Sequence, residues 1–398
     1  MKILIPNATD PKNTGDQAML ASLLSLIDGT LPNAIVRIHS VNPALQKKLF
    51  KDISIEHSLL SWLMFEKPRF FDRFVRCVQA MIGMLFPFLI SNTKLKAILR
   101  DYKKSDCIIF AGNGYLRSSR GITQSIFLAL QLIPFVLAKL HKKQIIVGPM
   151  SFGPFAYKWQ ATFTARVLTG ISPLFVREEI SLALAHKYEL TQARLAYDLA
   201  LLLPQVERQK IHKHYIGVTL RNWYTPRIQK RLEMEIIKAL IAFSERHNVT
   251  IKLLVNVDAP EHKDVDILVA TRMYTTLNKA GMPVEKPISL NTYQSVMREC
   301  QSCDILLGMR MHANILAATQ FVPFIGIAYE HKTMGIAKTL GMQSYCIWGY
   351  EVTSKKLLSL LHTVFENRLQ IQKDLEKTIL NIQKTNGILW KKELSKFL

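Results

Sequence analysis

The stretch from Ile305 to Tyr329 constrains the fold more than any other. It runs Ile-Leu-Leu-Gly, then Met-Arg-Met-His, then an apolar segment of helical length, then Phe-Ile-Gly-Ile-Ala. Short, wholly apolar runs on either side of a helix are what a parallel sheet covered on both faces requires. Such sheets bind ligands beyond the carboxyl ends of their strands, where a helix N-terminus also offers N–H groups to an anion. Gly308, Arg310 and His312 fall in that turn, a fixed cation two residues from a titratable ring. The stretch predicts an anion site with a proton donor built into it.

The same alternation fills the chain. Strands are expected at 2–6, 34–38, 107–111, 144–147 and 174–177 and just before Asp198, with helices from Asn13 to about Leu26 and at 122–140, 157–169 and 178–187. A polar, basic stretch at 204–213 reads as a linker. The pattern then restarts, with strands at 215–221, 250–255, 304–308 and 324–328 and helices at 228–247, 263–280, 291–301, 311–320 and 333–340. A Lys-rich helical tail follows from Ser354. The 398 residues suit two domains better than one core. The fold class expected is α/β, two Rossmann-like domains facing a cleft: 1–205, 206–350 and a tail at 351–398. Residues 45–105 read as a basic, amphipathic insertion, with Phe and Arg interleaved at 65–76 and an apolar run at 78–90. That composition suits a segment lying on anionic lipid, or a helical hairpin packed on its own domain.

A formal charge of +22 points to an anionic partner: nucleic acid, a phospholipid surface or a phosphorylated substrate. No helix-turn-helix, zinc finger or RNP-like aromatic strand accompanies the charge, so nucleic acid is not expected. The five cysteines form no disulfide framework, which favours a reducing, cytoplasmic setting. Cys300-Gln-Ser-Cys303 lacks a second pair and reads as structural thiols, and His212 and His214 lack a completing ligand, so neither metal nor cofactor is expected. The first six residues are too short for a signal-peptide core, and the apolar run 122–140 is broken by Gln124, Gln131 and Pro134.

Several single positions carry two readings. Gly112-Asn-Gly114 either lets a ligand approach the backbone or makes a tight turn; no GxxxxGK phosphate loop exists in the chain. Asp16 either caps the first helix or faces the cleft. Arg177 either pairs locally or holds a ligand. Arg221, with Trp223 and Tyr224 beside it, is either a solvated strand end or a guanidinium fork for a carboxylate or phosphate.

Taken in order, Asn13-Thr-Gly-Asp16, Gly112-x-Gly114, Gly148 with Gly153-Pro154, Val176-Arg-Glu178 with Ser181, Asp198, Gly217-Val-x-Leu-Arg221, Arg310-Met-His312, and Pro323 through Tyr329 to Lys332 are more specific than any one alone. Over residues 1–345 the chain resembles the polysaccharide pyruvyl transferase family. Asn113 stands in the middle of the family's glycine triplet, and Arg117-Ser-Ser where an acid is frequent, departures on the acceptor side. The resemblance implies a fold similar to GT-B glycosyltransferases, phosphoenolpyruvate as donor, and a sugar diol as acceptor, in a surface polysaccharide or its lipid-linked precursor. It implies that Arg221, Arg310 and His312 surround the donor and that Lys332 matches a family lysine. Asn13, Gly112, Gly114 and Arg177 are further substrate-binding candidates, and Asp16 is the candidate for orienting or deprotonating the acceptor hydroxyl. Two guanidiniums favour a neutral His312 and a bound trianion favours a charged one, so the imidazolium is expected in the donor complex. A lipid-linked acceptor would put the enzyme at the inner face of the cell membrane, held by its positive charge. Two other functions fit the same pattern: a GT-B glycosyltransferase using a nucleotide sugar, with Asp258, Glu261, Asp264 or Asp266 on the ribose, and a non-catalytic basic binding protein.

Overall fold

The computed structural model describes residues 1–8, 10–64, 75–76, 78–80, 82, 91–207, 213–257 and 265–397. Residues 65–74 and most of 78–90 of the expected lipid-facing segment lie outside the described residues, as do Cys77, His212, Asp258, Glu261 and Asp264. Contacts divide the chain into two compact units, one of Met1–Pro11, Met19–Leu199 and Ile388–Leu398, the other of Lys12–Ala18 and Ala200–Gly387.

In chain order the first half carries β1 (Lys2–Ala8), α1 (Thr14–Thr30), β2 (Ile35–Ser40), α2 (Pro43–Leu49), β3 (Ser54–His57), α3 (Leu59–Met64), α4 (Thr93–Lys104), β4 (Cys107–Phe110), β5 (Leu116–Ser118), α5 (Ile122–Leu140), β6 (Gln144–Met150), β7 (Phe152–Phe155), α6 (Lys158–Leu168), β8 (Leu174–Val176), α7 (Glu179–Lys187) and β9 (Ala193–Leu195). The main sheet runs β3-β2-β1-β4-β6-β8-β9 with every pairing parallel, and β5 and β7 form a small second sheet. Its core holds Leu4, Ile108, Phe110 and Val147 from the strands and Leu128, Leu132 and Phe135 from α5. Phe110 and Phe135 stack with centroids 3.8 Å apart. Helix α5 is long and apolar enough to cross a membrane by length and composition. Yet Leu128, Leu130, Leu132, Phe135 and Leu137 are buried against the protein, so much of that apolarity serves the core.

The second half carries β10 (Tyr215–Thr219), α8 (Pro226–His247), β11 (Thr250–Val255), α9 (Asp266–Lys279), β12 (Ile288–Ser289), α10 (Tyr293–Gln301), β13 (Ile305–Gly308), α11 (Met311–Thr319), β14 (Phe324–Ala328), α12 (His331–Thr339), β15 (Cys346–Trp348), α13 (Ser354–Glu366) and α14 (Arg368–Leu394). Its sheet order, β12-β11-β10-β13-β14-β15, is the doubly wound Rossmann order, and all its pairings are parallel. Strands β11, β13 and β14 are buried at every residue, as a parallel sheet covered on both faces requires, with Lys252 of β11 paired to Glu299.

Part of residues 45–105 is ordinary α/β structure rather than an insertion. There β3 pairs with β2, and α4 packs on the sheet. Asp101 of α4 ties the region down, accepting from Arg37 and lying 3.0 Å from His39 Nε2. The short β3 and the Lys-rich α4 hide this in the sequence: β3 buries only Ile55, and α4 shows six charged residues in its twelve.

Candidate active site

A ligand site in a doubly wound sheet lies where the strand order reverses, here between β10 and β13. Their last residues, Thr219 and Gly308, are register partners. The chain beyond β10 delivers Arg221 and the chain beyond β13 delivers Arg310 and His312.

Arg221 is buried between two rings, its guanidinium carbon 4.5 Å from the Trp223 centroid and 4.7 Å from that of Tyr329. It also donates from Nη1 to the Tyr329 hydroxyl at 2.7 Å. Burial pulls the pKa of Arg221 down, and the Tyr329 hydroxyl pushes it back up. The loop is fixed from below. Gln229, in the first turn of α8, accepts from the Trp223 and Tyr224 amides at 3.2 and 3.3 Å and donates to the Arg221 carbonyl at 3.3 Å.

Arg310 is held differently. It donates from Nε to both carboxylate oxygens of Asp266 at 3.1 Å, and from Nη2 to one of them at 2.5 Å. Asp266 opens α9 and is buried; it also accepts from the Asn256 and Val257 amides at 3.2 and 3.1 Å. Burial pushes its carboxyl up, and the Arg310 guanidinium pulls it back. A bidentate fork of this kind fixes the orientation of a guanidinium plane as well as its position.

The turn that carries Arg310 and His312 is itself stapled. Asn314, buried in α11, donates from Nδ2 to the Gly308 carbonyl at 3.1 Å. A Cβ on Gly308 would lie 1.6 Å from Asn314 Oδ1, so only glycine fits there. His312, the second residue of α11, is half-buried and packs on Gly15, where a Cβ would sit 2.1 Å from its Nδ1. Gly15 belongs to the same unit because Gln17 anchors its segment, donating to the Asn291 carbonyl at 2.8 Å and accepting from the Tyr293 amide at 3.1 Å.

Asn13 accepts from the Gly15 amide at 3.0 Å through Oδ1, and α1 begins at Thr14. Asn13 therefore stands where a cap would, and Asp16 lies inside the first turn, favoured there by the helix dipole. The capping reading of Asp16 gives way to Asn13. Lys332, in the first turn of α12, pairs with Glu330 at 2.6 Å and lies 6.0 Å from the Tyr329 ring.

In the other unit Arg177 is buried. It donates to Ser151 Oγ at 3.0 and 2.9 Å, to Glu178 at 2.9 Å and to Asp198 at 2.8 Å. Burial opposes its charge, while Glu178 and Asp198 more than restore it. Gly114 lies beside it, a Cβ there being 3.2 Å from Arg177 Nη2. Gly112 serves backbone packing, since a Cβ would meet the Pro149 carbonyl oxygen at 2.0 Å. Cys300 and Cys303 are buried free thiols, and burial pushes Cys303 up to about 12, far from a reactive thiolate. Among the described residues, His247, His362 and Glu366 bring potential metal-ligating atoms within 4.8 Å of one another, on α8 and α13.

Sequence reasoning did not find the pin on Arg310, which links residues 44 positions apart, nor the ring of Tyr329 over Arg221. It also missed Asn314, whose only signal is a lone amide in an otherwise apolar helix start.

Two doubly wound parallel units with this arrangement define a GT-B-like fold, and solved structures agree. HepE of Anabaena, solved with UDP-glucose, superposes with a TM-score of 0.57 at 12% identity, covering 100% of this chain and 99% of that one. UDP-GlcNAc 2-epimerase of Methanocaldococcus jannaschii gives 0.57 at 10% identity, covering 92% of this chain and 93% of its own. MurG of Acinetobacter baumannii gives 0.52 at 11% identity, with 99% of both chains covered. At such identities the likeness is one of fold. The polysaccharide pyruvyl transferase family matches residues 13–331, and the chain belongs to that family. It is also similar to the amylovoran biosynthesis protein AmsJ of Erwinia amylovora, 22% identical over 419 residues and 95% of each chain. The protein is thus a transferase of polysaccharide biosynthesis.

Proposed function

We propose that this enzyme transfers the pyruvyl group of phosphoenolpyruvate to a sugar, forming a pyruvate ketal and releasing phosphate. The observation that carries the reading is the pair of oriented guanidiniums, Arg221 and Arg310, at the β10–β13 switch point with His312 on the same turn. Phosphoenolpyruvate is small, carries a carboxylate and a phosphate, and suits two planar forks. Counting Arg221, Arg310 and Lys332 against Asp266 and Glu330, the neighbourhood keeps an excess of one positive charge before His312 is protonated.

The chemistry follows from these groups. A proton from His312 goes to the methylene carbon of the enol, leaving positive charge at the adjacent carbon. A sugar hydroxyl attacks that carbon and loses its proton. The bond from carbon to the phosphate oxygen breaks, phosphate leaves with the electron pair, and Arg221 and Arg310 stabilise its charge. A second hydroxyl of the same sugar then closes the ring. Two hydroxyl protons are released in all; one replaces that given by His312 and the other leaves with phosphate. Asp16 is the group we assign to the acceptor hydroxyl, and Asn13 shapes its turn. Arg177, Gly112 and Gly114 we assign to the architecture of their own unit.

The acceptor in this reading is a sugar on a lipid carrier at the inner face of the cell membrane. The UDP-sugar names of the structural neighbours raise a nucleotide-sugar reading, but Asp266, one of its ribose candidates, is committed to Arg310. A thermal-shift titration tests the choice. Phosphoenolpyruvate should stabilise the protein, by several degrees at saturating concentration, and Arg221→Ala should abolish the shift. Stabilisation by UDP-glucose and none by phosphoenolpyruvate would reverse the assignment.

A further inference from the structure

Helix α6 turns two aromatic rings to solvent. It buries Gln160, Ala161, Thr164, Ala165 and Leu168, and leaves Trp159 and Phe163, its bulkiest apolar residues, outside. Trp159 is 56% and Phe163 44% exposed, at the i, i+4 spacing of one face, and the exposed Arg166 continues the stripe. The start of α5 does the same with Ile122, 80% exposed, and Ile126, 52% exposed. The two helices are fastened together at that end, Gln160 donating from Nε2 to Ser125 Oγ at 2.9 Å and accepting from Ser118 Oγ at 2.6 Å. Exposed apolar residues grouped on adjoining helices mark a surface that meets another phase or partner.

The charge around them says which. Between Asp106 and Glu178 the chain contains no Asp or Glu at all, while Lys and Arg occur eight times. Arg120 and Lys158 stand directly beside the two apolar stripes, and both are exposed. A protein partner or a second copy of this chain would meet Trp and Phe equally well, but seventy-odd residues without one acid fit a surface of uniform negative charge. Aromatic side chains at the water boundary with Lys and Arg around them are the composition of an interfacial anchor.

We propose that the outer face of α5 and α6, with Ile122, Ile126, Trp159 and Phe163 inserted and Arg120, Lys158 and Arg166 on the headgroups, docks this enzyme on an anionic phospholipid bilayer. The inference rests on the reading that the acceptor is carried by a membrane lipid. It assigns the contact to residues different from the basic aromatic run at 65–76 that composition suggests.

The test uses the full chain and vesicles of phosphatidylcholine with and without phosphatidylglycerol, at low salt. Wild type should sediment with the anionic vesicles and not with phosphatidylcholine alone. Its tryptophan emission should shift to the blue on binding, and Trp159→Phe should remove the shift. Ile122→Glu/Ile126→Glu/Phe163→Glu should weaken sedimentation at least about tenfold, as should Arg120→Gln/Lys158→Gln/Arg166→Gln, the latter keeping the apolar face intact in case the first does not fold. Unchanged sedimentation of both variants overturns the proposal. So does a lipid-free dimer that the first variant disperses, for then a second copy covers the face. The donor reading is scored separately, by the phosphoenolpyruvate thermal shift in the same variants. Wild type that fails to bind anionic vesicles but keeps the shift overturns docking alone, and wild type that binds them but shows no shift overturns the donor alone.

Discussion

Gly15 is the residue that sets the place of the His312 ring most directly. It lies in the first turn of α1, where alanine is a better helix former than glycine. Its Cβ, however, would enter the space of the His312 ring and would also lie 2.7 Å from the His312 Cβ, which no side-chain rotation moves. Gly15→Ala should lower the melting temperature by a few degrees and kcat about a hundredfold, the larger loss being a misplacement effect. Equal losses in both would mean that His312 is a packing residue. Asp266→Asn tests the other pin. It leaves a half-buried guanidinium and two amides short of a carboxylate, so urea denaturation should show a loss of about 3 kcal/mol. Phosphoenolpyruvate binding should fall with it; a fully stable Asp266→Asn protein would show that Arg310 finds another partner. Arg221, Arg310 and His312 were legible in the sequence because each directly follows an apolar strand. Asp266 was legible only as an acid near the site, because a fork across 44 residues leaves no local pattern.

Among the elements, strands and helices of the second unit were readable nearly to their ends, since β11, β13 and β14 are buried on both faces and, Thr250 and Lys252 of β11 apart, wholly apolar or glycine. Where burial is one-sided or the element short, as in β3, β12 and β15, the pattern is lost. The close approach of the β4 and β6 ends is a second case, for it rests on glycines. A Cβ on Gly148 would stand 2.8 Å from the Gly112 amide, and one on Gly112 would stand 2.0 Å from the Pro149 carbonyl oxygen, both backbone atoms that cannot rotate away. Gly112→Ala should cost about 3 kcal/mol in unfolding free energy, with Arg177 and its network perturbed. An unaffected midpoint would show that the loop can open. Helix α13 meets α8 through a pair of imidazoles, His247 Nε2 and His362 Nδ1, 2.8 Å apart and framed by Phe243 and Phe365. Burial holds both below the ordinary value of 6.5, with His362 and Arg246 adding to the effect at His247 and Arg246 at His362, against Glu366. The unfolded chain then takes up protons first, so the stability this contact gives is present above about pH 6.5 and falls as the pH drops below it. The melting temperature should decline between pH 7 and pH 5 less steeply in His247→Asn/His362→Asn than in wild type. An identical slope would remove the pair from the account.

For the whole molecule, the charge of +22 pointed to nucleic acid, a phospholipid surface or a phosphorylated substrate, and our proposal for the second unit's site takes the last. There the cations are answered by Asp266 and Glu330, leaving a modest excess suited to one small anion. Much of the remaining basicity lies elsewhere, part of it on the exposed Arg120, Lys158 and Arg166 of the acid-free stretch that carries α5 and α6. Family membership gives the class of reaction, and the two oriented guanidiniums give the reason to name its donor. That claim can be measured without knowing the acceptor, by isothermal titration of phosphoenolpyruvate into the purified full chain with UDP-glucose as competitor. Binding should be saturable at one site, lost in Arg221→Ala and in Arg310→Ala and indifferent to UDP-glucose. Binding of UDP-glucose, with no heat from phosphoenolpyruvate, would contradict it.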